Sequence, residues 1–195
     1  MDESVQNFSQ WRVVSGVHTV ELAPGVVAPT SVTATGPYVP DGDALPLEIR
    51  ITSTYDRATR AYVLREVSVS APEGAGLTGT ALRQIPPQRL MRWAIPRTFR
   101  IDMDELSPAV LAFIDPVSPH LDRAMLADAT LEDAVAIYRI AEAISEAPTK
   151  AVADALGIPM RTVRDRMRRA RERELLEHAE TTREIRDSAM DELRG

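Results

Sequence analysis

At 195 residues the chain is long enough for one medium domain or two small ones, and its 44% hydrophobic fraction is that of a folding globular protein. It contains no cysteine, which excludes disulfides, thiolate metal sites and cysteine nucleophiles together and fits a reducing compartment. A net charge of −6 argues against a protein that coats nucleic acid, so any contact with a polyanion has to be local.

The first ten residues, MDESVQNFSQ, are acidic and polar and do not read as a signal peptide. WRVVSGVHTVEL follows with a β pattern rich in valine and threonine. The longest uncharged run, Leu22 to Pro40, carries Pro24, Pro29, Pro37 and Pro40, which would break a spanning helix. The expectation is therefore a soluble, cytoplasmic protein with no membrane contact. LPLEIRITSTYD and RAYVLREVSVSA again read as strands, and the polar turn at Asp56-Arg57-Ala58-Thr59 makes them an antiparallel hairpin. After a Gly-rich loop at 74–79, ALRQIPPQRLMRWAI reads as two short helices broken at Pro86-Pro87. Residues 1–101 are thus expected to form a small β-rich module with short helices. Residues 102–120 hold two Ser-Pro pairs and an Asp-Pro and read as a connector with one short helix. From Leu121 the chain reads as helical. Ala134, Ile137, Ala141 and Ile144 recur at spacings of three and four, a buried stripe. The fold class is α+β, with an all-α domain at 121–176 and a charged C-terminal helix at 177–195.

Charge is distributed unevenly along this helical part. Lys150 is the only lysine among 23 basic residues, so nearly every positive charge is a planar fork able to grip phosphate or guanine bidentately. Residues 149–173 hold Lys150 and seven arginines against Asp154, Asp165 and Glu172, five net positive charges inside an acidic chain. Residues 174–195 hold seven acids against Arg183, Arg186 and Arg194. Thr149 is expected to cap a short helix ending at Leu156, Gly157 to supply a left-handed C-cap, and Pro159 to open a second helix from Met160. Ala153, Gly157 and Val163 fall where a helix-turn-helix needs a small contact residue, a turn glycine and a branched apolar residue. Val152, Leu156, Ile158 and Met167 complete the small core.

On these residues APTKAVADALGIPMRTVRDRMRRARERELL resembles the motif of helix-turn-helix transcription regulators, in particular small regulators of GC-rich bacteria and their phages. The resemblance covers about residues 131–176 and does not reach the N-terminal module. It implies a second helix lying in the major groove, with Met160, Arg161, Arg164, Asp165 and Arg168 facing bases. Arg161, Arg164 and Arg168 would grip guanine, and Asp165 would accept from cytosine or orient a neighbouring arginine. Thr149, Lys150, Thr162, Arg169 and Arg171 are placed for phosphates, which position the helix without specifying sequence. Against this stands the plain alternative that arginine is a good helix former on a solvated face.

Other signals weigh less. Gly74, Gly76 and Gly79 match GxGxxG, but the preceding strand belongs to a hairpin and no parallel βαβ unit follows, so they read as a flexible turn. Asp102, Asp104 and Glu105, and the set Asp115, His120 and Asp122, hold metal-ligand types but read as turn and helix caps. His18 and His178 read as structural or solvated, and Trp11, Tyr62 and Trp93 as core or interface residues. The tail at 177–195 could pair with a second copy, fold back on the helices, or compete with DNA for the arginines. The expected function is sequence-specific binding of double-stranded DNA by a dimeric transcriptional regulator, with no cofactor, no metal and no catalytic residue. A protein partner or ligand would engage the N-terminal module. The alternative is a DNA-organising, partition or packaging protein anchored on DNA as a multimer.

Overall fold

The computed structural model describes residues 8–40, 46–115 and 129–176. Its strands are β1 (Arg12–Ser15), β2 (Thr19–Ala23), β3 (Val26–Pro29), β4 (Ser31–Tyr38), β5 (Leu47–Asp56), β6 (Ala61–Ser70) and β7 (Arg100–Ile101). The α-helices are α1 (Gly79–Gln84), α2 (Pro87–Ala94), α3 (Pro108–Ile114), α4 (Leu131–Ala143), α5 (Pro148–Leu156) and α6 (Met160–Glu172). The architecture is mixed α+β, with the strands N-terminal and the longer helices C-terminal. Two antiparallel sheets form, one ordered β1-β4-β5-β6 and the other β2-β3-β7.

Alternation builds the larger sheet. Leu47, Ile49, Ile51 and Ser53 of β5 are buried while Glu48 and Arg50 between them are exposed. Each of the fully buried isoleucines contributes about 1.5–3 kcal/mol through burial. The hairpin expected at 56–59 is present: β5 and β6 pair from Glu48↔Ser70 to Asp56↔Ala61, with an irregularity at Thr52/Ser53. The Asp56 carboxylate accepts from the Ala58 amide at 3.0 Å and the Thr59 hydroxyl at 3.1 Å, which closes the turn.

WRVVSGVHTVEL does not run as one strand. It divides at Gly16–His18 into β1 in one sheet and β2 in the other. The uncharged run after it becomes β3 and β4 despite its prolines. Pro37 is tolerated because β1 pairs β4 only from Val32 to Thr35, so beyond Thr35 only the β5 side of the strand is held by a ladder. Trp11 occupies that end of the β1 side, its indole N–H donating to the Pro37 carbonyl at 3.0 Å. Gly36 is required there, since a Cβ would stand 2.6 Å from the indole ring. Trp93 meets Trp11 edge-on and stacks on Phe8, so both tryptophans serve the apolar interior of the N-terminal half.

Pro87 opens α2, as the break at Pro86-Pro87 implied, and Leu90, Met91 and Ala94 lie against the inner face of the large sheet. The buried Tyr62 hydroxyl donates to the Pro29 carbonyl, tying the two sheets together. Ser107 caps α3 through the Val110 amide, and this helix buries Ala109 and Val110 against α4 and α5. The helices join the sheets without a seam: one cluster of buried apolar residues runs from Trp11 through Ile49, Leu90, Val110 and Ile137 to Leu176. Arg92 of α2 donates to the Ser145 carbonyl between α4 and α5, a polar clasp across the same junction.

Candidate nucleic-acid interface

Thr130 starts α4 with a full capping box: its hydroxyl accepts from the Asp133 amide at 3.1 Å, and the Asp133 carboxylate accepts from the Thr130 amide at 2.7 Å. The stripe of Ala134, Ile137, Ala141 and Ile144 is buried, and α5 and α6 both pack on α4. Thr149 does not cap α5. Pro148 occupies the first helical position, where its missing N–H and fixed φ suit a helix start, and this sets Ala147 as the cap. Thr149 therefore sits half-buried inside the first turn.

Gly157 ends α5 at φ 61° and ψ 31°, with Ile158 donating back to the Ala153 carbonyl at 3.1 Å. A Cβ at Gly157 would meet nothing within 4 Å, so backbone conformation alone demands glycine. Gly157→Ala is expected to cost about 1–2 kcal/mol, read as a lower urea midpoint with an unchanged m value. Pro159 is the N-cap of α6 and not its first helical residue, in extended backbone at φ −61° and ψ 144°.

Within α6 the side chains divide by face. Val163, Met167 and Ala170 are buried at spacings of four and three. Arg161, Arg164, Asp165 and Arg168 repeat the same helical spacing on the opposite side, and all are exposed. Met160 is also exposed, at the edge of this face. Thr162 and Arg169 lie along one flank and Arg171 along the other, all exposed. The helix is about 20 Å long. Among the described residues the side chains of Arg161, Arg164 and Asp165 make no hydrogen bond or ion pair. Arg168 is engaged with Glu172 at 2.8 Å, a surface pair that a stronger acceptor displaces readily. Lys150 is likewise held by Asp154 one turn along α5. Arg166 turns inward, half-buried, and donates to the Ala129 carbonyl at 3.4 Å. Arginine on this helix is therefore not uniformly outward.

The interior side of the unit carries one displaced carboxyl. Half-buried Glu142 of α4 is pushed above the ordinary carboxylate range by desolvation, which outweighs attraction to Arg60, Arg139 and Arg171. A raised folded-state value disfavours the charged form, so its stabilising contribution is full below the unfolded pKa and is lost as pH rises through the folded one. Glu142→Gln is accordingly expected to melt above the native protein at pH 7 and to converge with it below about pH 4. Parallel thermal melts across that range would show it, and a constant offset would contradict it.

The remaining sequence signals fall elsewhere. Gly74 and Gly76 stand in an exposed loop after antiparallel β6, and the helix that follows is only Gly79–Gln84. The Asp102 carboxylate accepts from the Asp104 amide at 3.1 Å, so it closes its own exposed turn. His18 lies exposed just before β2, with its carbonyl accepting from Thr30. Among the described residues no three histidine, aspartate or glutamate side chains gather as a metal site, and no helix is long and apolar enough to cross a membrane. His120, Asp122, His178 and the whole of 177–195 lie outside the described residues.

Fold and site together define a mixed α+β protein that presents an arginine-lined helix on the outer side of three packed helices. No protein-family model, no curated protein and no solved structure matches the chain.

Proposed function

We propose that this chain is a cytoplasmic helix-turn-helix protein that reads sequence in double-stranded DNA with α6, most simply as a dimeric transcriptional regulator. One observation carries the reading: α6 seats Val163, Met167 and Ala170 in the core and holds Met160, Arg161, Arg164, Asp165 and Arg168 together on one exposed face. A helix so oriented, preceded by α5 and a glycine turn, has the forks of Arg161, Arg164 and Arg168 directed away from the protein. Such forks match guanine O6 and N7. Thr149, Lys150, Thr162, Arg169 and Arg171 flank that face as phosphate contacts, with Asp154 giving up Lys150 to the stronger anion. One such helix covers little DNA, so a second copy supplies the specificity, with half-sites about one helical turn apart.

The test is fluorescence anisotropy with duplex selected from a random pool and with random duplex, across a salt series. Selected DNA should bind on the order of a thousandfold tighter than random DNA, with stoichiometry of two chains per site. Equal affinity for both, with a steep salt slope and continued loading along the duplex, would favour the organising or packaging reading. Absence of binding at low salt would leave α6 as a solvated or protein-facing surface.

A further inference from the structure

Strand β6 ends the sheet ordered β1-β4-β5-β6, so among the described residues no strand pairs with its outer side. Its ten residues contain no proline, and Leu64 to Ser68 are exposed in succession. Leu64 and Val67 are 39% and 38% exposed although both belong to the apolar pattern of the strand. A long open edge with apolar side chains is a template for another strand.

The pairing with β5 fixes which side chains share a face. Leu64 stands opposite buried Ser53 and Val67 opposite buried Ile51, so both belong to the inner face of the sheet. They are three residues apart, and regular alternation would put them on opposite faces. The irregularity at Thr52/Ser53 inserts Arg65 as an extra residue and restores them to one face. Arg65 Nε donates to Thr54 Oγ1 at 2.7 Å, which holds Arg65 on the outer face beside Glu66. That bond leaves both Nη groups of the fork for a carboxylate. Among the described residues the Glu66 carboxylate closes no hydrogen bond or ion pair.

We propose that a second copy of this chain pairs with β6 edge to edge, antiparallel, joining two four-stranded sheets into one. A two-fold axis relating antiparallel strands stands normal to the sheet, so each residue has to meet one from its own face. An axis through the Arg65–Glu66 step satisfies this because of the extra residue. It sets Leu64 against the partner's Val67 on the inner face and Arg65 against the partner's Glu66 on the outer face, each pair occurring twice. The same axis lies at the midpoint of β6, so Ala61 meets the partner's Ser70 and the whole strand is used. One register therefore matches faces, charges and length together. The inference deepens the dimeric reading of α6 and rests on it for the need of a second copy. Its test contains no DNA, so either can fail alone.

The experiment is sedimentation velocity of the full chain without DNA, over a concentration series. The native chain should pass from monomer to dimer. Arg65→Glu and Glu66→Arg each set like charges opposite one another twice, and each alone should weaken the dimer by about tenfold. Mixed in equal amounts, these two variants should form a dimer tighter than either makes alone, since every glutamate then faces an arginine. The double variant Arg65→Glu, Glu66→Arg should regain native dimerisation, a rescue that unfolding cannot imitate. The proposal is overturned if the native chain stays monomeric at every concentration, the extra residue then serving to turn the edge away from partners. It is equally overturned if both single variants dimerise as the native chain does, or if mixing them gains nothing.

Discussion

Arg161→Ala and Arg164→Ala together are expected to remove about 2–6 kcal/mol from binding to selected duplex, at about 1–3 kcal/mol for each lost base contact. Binding to random duplex should fall far less, because phosphate attraction from Lys150, Arg169 and Arg171 remains. The contrast is with Arg169→Ala, which should weaken both duplexes alike and reduce the salt slope by about one. Neither change should unfold the helix, since all three side chains are exposed and alanine is the best helix former. The variants therefore separate reading from gripping. Equal losses on selected and random DNA in the double variant would show that these arginines hold phosphate, and the organising reading would then stand ahead of the regulator.

Ile137→Ala should destabilise the whole chain, and not only its helical half. Ile137 is fully buried in α4, beneath α5 and α6, and belongs to the same apolar cluster as Trp11, Ile49 and Leu90. Truncation of a buried isoleucine costs about 2–5 kcal/mol. In a chain of this size each kcal/mol lowers Tm by about 2–4 °C. Both tryptophans, Trp11 and Trp93, lie in the N-terminal half, so their fluorescence reports on the sheets while the far-ultraviolet signal reports mainly on the helices. The two transitions should coincide in the native protein and move down together in the variant. A tryptophan transition that stays in place while the helical signal drops would mean that the sheets fold independently of the helices.

How far each element was legible depended on how local its cause was. The β5–β6 hairpin rests on alternation in β5 and on Asp56 closing its own turn, both local to the hairpin. The break between α1 and α2 rests on two prolines, and the end of α5 on one glycine. The start of α5 departs from the sequence expectation because Thr149 is a good cap in isolation, whereas the neighbouring Pro148 takes the first helical position and moves the cap two residues back to Ala147. Strands β3 and β4 contain Pro29 and Pro37, whose tolerance depends on which sides of the strand have partners. No local pattern reveals a partner's absence. Arg166 shows the same limit on α6: its residue type matches its neighbours, and only the fold brings the Ala129 carbonyl, 37 residues away, within its reach.

By itself the sequence determined the class of fold, the order of strands before helices, and the concentration of arginine after a glycine turn. Those properties follow from periodicity, turn chemistry and charge, which act over a few residues. Only the tertiary structure decided that WRVVSGVHTVEL serves two sheets, that the face of α6 carrying Arg161, Arg164 and Arg168 points outward, and that Arg57, Arg60 and Arg139 line one cleft. The last two arise from burial of Val163, Met167 and Ala170 and from packing of α4 on β2, contacts between residues far apart in the chain. Apolar burial is non-directional, so a chain's pattern states which residues go inside but not which distant surfaces that burial brings together.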